Sequence, residues 1–220
     1  MNNIQTIDGV KLTAKGLLVK DSSKHWVPLH RQQGDMDGAC AVYCLMMSLF
    51  ILGYISEKDI EIHNSLDRRT SRGKFIAHFL EDQGLIRTGY SYISLAKEVR
   101  SYCKELNAER KNPRDLDRRI GLIADYIMND IPVIISIVYS CGNTVQAHAL
   151  LAVGIEADKN DNIVKILCLD PGGSSPQCSI WNCFIDVSKN NDKEYPFWCV
   201  TNQKTYKVSL DDMIIIQYNE

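Results

Sequence analysis

The hydrophobic pattern of this chain changes period once, near Pro132, and that change limits what it can fold into. Before it, apolar residues recur at helical spacing. Phe75, Ile76, Phe79 and Leu80 share one helix face, with Gly84 placed to end that helix. Leu95, Val99, Tyr102, Cys103 and Leu106 share another, and Leu116, Ile120, Ile123 and Ile127 a third. Ser56-Glu57-Lys58-Asp59 has the form of a capping box opening a helix over 57–66, and Asn112-Pro113 reads as a capped helix start. After Pro132, Val133–Tyr139 is a β-branched run typical of a buried strand. His148–Glu156 and Ile163–Leu169 read as strands joined through the turn Asp158–Asn162, with further strands near 179–187, 196–201 and 212–218. Val10–Lys20 alternates loosely, as an early strand or hairpin does. Helices first and strands after predict an α+β fold in one domain, a helical part over about 38–130 packed on an antiparallel sheet over about 131–220.

Composition narrows the partners. A chain of 220 residues suffices for one sizeable core, and 45% hydrophobic with 24% charged residues is ordinary for a folded soluble domain. A net charge of -2 and a pI of about 6.2 give no reason to expect a nucleic acid or an anionic membrane as partner. The basic stretches Arg68–Lys74 and Arg110–Arg119 are interrupted or flanked by acidic residues and read as solvated helix ends. No basic stretch followed by an apolar one opens the chain, so a cytoplasmic location is expected, with delivery to another cell by a signal-independent route left open. The apolar run Ala39–Leu52 falls short of the roughly 18 residues a membrane span needs and reads as a buried helix. In a chain of this size that opens with no secretory signal the eight cysteines are expected as reduced thiols, and the lack of a CxxC pair argues against zinc, so no metal and no cofactor are expected.

Within that frame the segment Gln33-Gly34-Asp35-Met36-Asp37-Gly38-Ala39-Cys40 carries the chemistry. It runs directly into the Ala39–Leu52 helix, in which Ser48 is the only strongly polar residue. A thiol at a helix N-terminus meets the positive end of the helix dipole, which favours thiolate. A Gln a few residues upstream can reach back as an oxyanion donor, with Gln33 favoured over its neighbour Gln32. Cysteine is also a common buried residue. Cys44 illustrates that reading: it sits one turn deeper, where the dipole has faded.

A nucleophilic thiol needs a base and a group to orient the base. His148 opens a strand after the flexible stretch Cys141–Thr144, whereas His25, His30, His63 and His78 have weaker contexts. Asp170 closes the next strand. His148 lies about twelve positions before the centre of the intervening hairpin and Asp170 about ten after it, so the two come close across the pair. Either could be ordinary alone, because Asp-Pro-Gly favours turns without any chemistry. The combination and its order single them out.

The order Gln, Cys at a helix start, His at a strand start and Asp after the following strand resembles the papain-like cysteine peptidases. His148–Gly154 with Leu167–Pro171 is most similar to the branch that processes bacteriocin leaders. The resemblance covers Gln33–Phe50 and Val133–Gly173. It implies a papain-like fold, Cys40 as nucleophile, His148 as general base and acid, Asp170 as orienter and Gln33 in the oxyanion hole. Ala39 and Ala41 depart from the Asp and Gly that flank the Cys in that branch. Trp181 follows the Asp, where some relatives place a Trp over the catalytic pair and where a core residue is the plainer reading.

The chemistry so implied is attack by thiolate on an acyl carbon of a protein or peptide. A peptide bond makes the chain a peptidase processing a specific protein. A glutamine carboxamide makes it a deamidase or transglutaminase, as in an effector or toxin. A binding module on the same scaffold would lack a triad member. Substrate subsites and oligomeric state have no signature in the sequence, and partner choice falls by elimination to the helical stretch Ser56–Asp130.

Overall fold

In the computed structural model, which describes residues 2–34, 38–60, 67–79 and 90–219, the chain is mostly β. It runs β1 (Asn3–Thr6), β2 (Val10–Thr13), β3 (Gly16–Lys20), β4 (Trp26–Pro28), α1 (Cys40–Ile51), α2 (Glu57–Ile60), α3 (Ser71–Ala77) and α4 (Tyr92–Tyr102). There follow β5 (Leu106–Lys111), α5 (Leu116–Met128), β6 (Val133–Cys141), β7 (Thr144–Ala157), β8 (Ile163–Leu169), β9 (Cys183–Asp186), β10 (Phe197–Thr201) and β11 (Thr205–Tyr218).

Strands β6 to β11 pair antiparallel with their neighbours in chain order, and β11 returns to β6 through Ser209↔Val138, Leu210↔Ile137 and Ile214↔Ile134. The ring of β6, β7, β8, β9, β10 and β11 is therefore a closed antiparallel barrel of up-and-down order. Two strands lengthen its walls. β1 pairs with β7 beyond the end of β6, and β5 pairs with β11 beyond the end of β10. β2, β3 and β4 form a separate small sheet, so Val10–Lys20 is a hairpin.

This corrects the expected architecture of a helical part packed on an antiparallel sheet. Leu106, placed by spacing on a helix stripe, instead opens β5 and pairs with Tyr218. The later strands do not lie open beneath helices but close on themselves. Periodicity reports which side chains share a face; it carries no information on which strand pairs with which.

The helices that form have local causes. Asp115, not Asn112, caps α5: its carboxylate accepts from Arg118 N at 2.8 Å. Asn112 is used elsewhere, bonded to Asp212 and Arg119. Ser56 donates to Asp59 from both its N–H and its hydroxyl, so α2 has the carboxylate half of its predicted box but not the half in which the Ser side-chain oxygen accepts, and 61–66 lie outside the described residues. Leu80 and Gly84, on which the end of the preceding helix was read, lie outside them too. The apolar α1 is buried nearly all round, packed against β7, β6 and β3, while α5 turns Ile120, Ile123 and Ile127 inward against β7, β8 and β1. Ala149–Ile155 of β7 is buried without a break, as expected of a strand covered on both faces. No described helix is long and apolar enough to cross a membrane.

Gly154 marks the tightest approach in this packing. A Cβ there would lie 2.9 Å from Thr6 Cγ2 and 3.0 Å from Gln5 O, so β1 can pair only against a bare backbone. Gly154→Val is expected to cost about 1–3 kcal/mol through overpacking. A lower urea midpoint at unchanged slope would register it, and an unchanged midpoint would refute the account.

Candidate active site

Cys40 is the first residue of α1. Its N-cap, Ala39, offers no side-chain acceptor, and the first turn holds no acidic residue. The partial positive charge of the helix terminus therefore falls on the sulfur without competition from a carboxylate. The Ala149 N–H of β7 donates to Cys40 Sγ at 3.4 Å, and the Ala41 N–H and the His148 ring lie near enough to the sulfur to favour its charged form. Burial pushes the thiol up, but these donors, His148 first among them, bring it below the ordinary cysteine value. Cys44 is fully buried and pushed well up, and it stays a packing thiol. All eight cysteines are unpaired.

His148 faces Ile137 across β6–β7. Its Nε2 lies 2.7 Å from Asp170 Oδ1, which leaves Nδ1 as the nitrogen for Cys40. Register explains the reach. Leu151 pairs with Leu169, so Asp170 stands one step beyond the last pair, diagonal to His148. Burial disfavours the imidazolium, yet Asp170 and Cys40 outweigh it and raise His148 to about 10. Asp170 is likewise opposed by burial and still held below its usual range, because Oδ1 accepts from His148 and from Gly172 N, the latter at 2.7 Å. The three groups thus form a chain of thiol, imidazole and carboxylate in which each shift runs toward the charged form.

Asp170 is itself clamped. Its N–H donates to Asn182 Oδ1 at 2.6 Å. Its carbonyl accepts from Asn182 Nδ2 at 2.9 Å and from His30 Nε2 at 2.9 Å. Asn182 Nδ2 spends its second proton on Ser174 O, at 3.0 Å. With both amide protons committed, His30 must be the donor to Asp170 O, which assigns its proton to Nε2. Burial lowers the pKa of His30, in keeping with a neutral ring. Neither residue was legible as part of a site: His30 had only a loop context, and Asn182 fell within the strand read near 179–187, whereas the strand formed is Cys183–Asp186. Trp181 is half-buried against the core and shares a hollow with Asn182 and Phe184.

Gln33 is half-buried, and its N–H donates to Pro171 O at 2.8 Å, which docks the segment before α1 onto the turn after Asp170. Gln32 is exposed. Asp35 and Asp37 lie outside the described residues. Cys40, His148 and Asp170 are thus brought together, with the Gln33 main chain beside the turn that carries the Asp. A cleft of about 650 Å³ opens over Cys40 and His148, walled by Ser136, Tyr92 of α4 and Asp211 among others. Among the described residues no group of His, Cys, Asp and Glu is arranged to hold a metal ion.

No family model and no curated protein matches the chain. The likeness to the bacteriocin-leader branch therefore rests on residue order alone. Among solved structures the chain is similar to the crystal structure of UfSP from C. elegans, with a TM-score of 0.47 and 15% identity over 99% of its residues. The chain spans 35% of the length of that protein. A likeness of that size defines neither fold nor activity.

If Asn182 positions Asp170, Asn182→Ala lowers stability by about 1–3 kcal/mol, the cost of unpaired buried polar groups. It also moves the pH profile of Cys40 alkylation upward, because a slack Asp170 holds the His148 proton less well. Lost stability with an unmoved profile would leave Asn182 a structural residue only.

Proposed function

We propose that the chain is a cysteine-dependent hydrolase of amide bonds, a peptidase acting on a protein or peptide. The observation that carries this reading is the run of neighbours from Cys40 through His148 to Asp170, the first two of which line an open cleft. The thiolate attacks the acyl carbon, and the carbonyl electrons move onto oxygen. The Cys40 N–H, one of the first-turn amides that lack an intrahelical acceptor, takes one side of that oxyanion, and the Gln33 side chain is assigned the other. His148 gives its Nδ1 proton to the departing amine and leaves an acyl-enzyme. Water then loses a proton to His148 as it attacks, which releases the acid and restores the thiolate. Asp170 holds the ring at Nε2 throughout and favours its charged form.

Deamidation and transamidation share the first step, and no structural feature favours them over peptide cleavage. The peptidase reading predicts fragments, whereas deamidation would leave an intact target about one dalton heavier, an amide replaced by an acid through the same acyl-enzyme.

The molecule supplies its own control for the central step. Cys141 and Cys178 are exposed, while Cys40 is half-buried. Accessibility alone would make Cys40 the slower of the three toward iodoacetamide at neutral pH. An activated thiolate makes it the fastest, by roughly tenfold or more, with an onset below the ordinary thiol range. In His148→Ala the onset moves up and the preference disappears. Peptide mapping that found Cys40 no faster than Cys141 and Cys178 would sink the proposal.

A further inference from the structure

The long strand β11 loses register between Leu210, which pairs with Ile137, and Met213, which pairs with Ile135. Asp211 and Asp212 together therefore oppose the single residue Ser136, which makes a β-bulge of the kind that re-aims side chains beside active sites. All three residues line the cleft that holds Cys40 and His148. The position is fixed by direct pairings: His148 faces Ile137, and Ile137 faces Leu210. Two strand spacings, about 10 Å, separate His148 from the bulge, within reach of one long side chain on a ligand attacked at Cys40.

The two carboxylates differ. Asp212 is paired with Arg110 at 2.7 Å and bonded to Asn112. Asp211 has no ion pair and no carboxylate hydrogen bond among the described residues. Among the described residues no Lys or Arg lines the cleft. Among the described residues that line the cleft, Asp211 is therefore the carboxylate left without a cation, and it gives this wall a negative field. A second observation points to a ligand. Tyr92 is 7% exposed and lines the same cleft, and its hydroxyl has no hydrogen-bond partner. A buried phenol O–H normally has one, and a peptide bound in the cleft would bring acceptors to that wall.

We propose that Asp211 makes this cleft selective for an acyl substrate bearing a cationic side chain, Lys or Arg, next to the attacked carbonyl. The inference rests on the thiol-hydrolase reading, and its test separates the two. Three small methanethiosulfonates differ in charge: the 2-ammonioethyl, the methyl and the 2-sulfonatoethyl compounds. In each case the thiolate attacks the sulfenyl sulfur, forms a mixed disulfide and expels methanesulfinate. Rates at Cys40 are read by peptide mass mapping, with Cys141 and Cys178 as references in the same molecule. The ammonium reagent should outpace the sulfonate at Cys40 well beyond the ratio at the two exposed cysteines. Asp211→Asn and Asp211→Ser should each cut that excess roughly fivefold, the effect of one unit charge across partly exposed protein. Added salt should shrink the excess in the unaltered protein, which needs no variant to fold. A ratio at Cys40 equal to that at Cys178, or one unmoved by both substitutions, overturns the proposal. Failure of the hydrolase reading shows separately, in the neutral reagent, as a Cys40 no faster than its exposed neighbours and indifferent to His148→Ala.

Discussion

The structure depends on one strand having partners on both edges over its second half. β7 pairs with β6 over its first half, with β8 over its second, and with β1 where β6 has ended. It also carries the packing surface for α1 and α5. Because the strand is buried on both faces from Ala149 onward, a slip of one residue would exchange its two side-chain sets and bury His148 away from the cleft. The register that seats Leu150, Leu151 and Val153 in the core is thus the register that presents His148. The same strand supplies the Ala149 N–H to Cys40, so the backbone that fixes the base also fixes the nucleophile.

Electrostatics at the site run against burial at every member. Removal from water opposes the charged form of Cys40, of His148 and of Asp170 alike. Each alone would neutralise. Together their shifts run toward the charged forms, because His148 bonds Asp170 on one side and faces Cys40 on the other, and in a low-dielectric surrounding such interactions gain strength as much as unpaired groups lose it. The arrangement then needs rigidity, since a carboxylate that drifts no longer offsets the burial of the imidazolium. Four groups provide it: His30, the Gln33 main chain, the Gly172 amide and Asn182 all converge on Asp170 or the peptide after it.

Much of this was legible in the sequence, for identifiable reasons. β6, β7 and β8 were readable because β-branched runs bounded by turn residues have few alternatives. The position of Cys40 at a helix mouth was readable because an apolar helix following a Gly- and Asp-containing loop announces its own start. Ring closure was not, since it depends on Leu210 meeting Ile137 across seventy-three residues, and neither residue type encodes the meeting. Asn182 and His30 were missed for a related reason. Their work is done on the main chain of another residue, and any sequence at Asp170 would present the same N–H and C=O. The Asp211 bulge escaped as well, because the strand was read as starting after it and a bulge shows only against its partner.

Closure, which overturned the expected architecture, is also what gives the cleft its far wall. In an open sheet ordered as the hairpins occur in the chain, β11 would lie at the edge opposite β6, four strands from the histidine. Pairing β11 back onto β6 sets it two strands from His148. At about 4.8 Å per strand, that converts a separation near 20 Å into one near 10 Å, short enough for a single substrate residue to touch both. The bulge then solves a problem that closure creates. In a regular strand Asp211 and Asp212 would point to opposite faces, and one would be driven toward the barrel interior, where an unpaired carboxylate is costly. Two residues opposite one Ser136 let both aspartates line the cleft, one paired with Arg110 and the other left without an ion pair among the described residues.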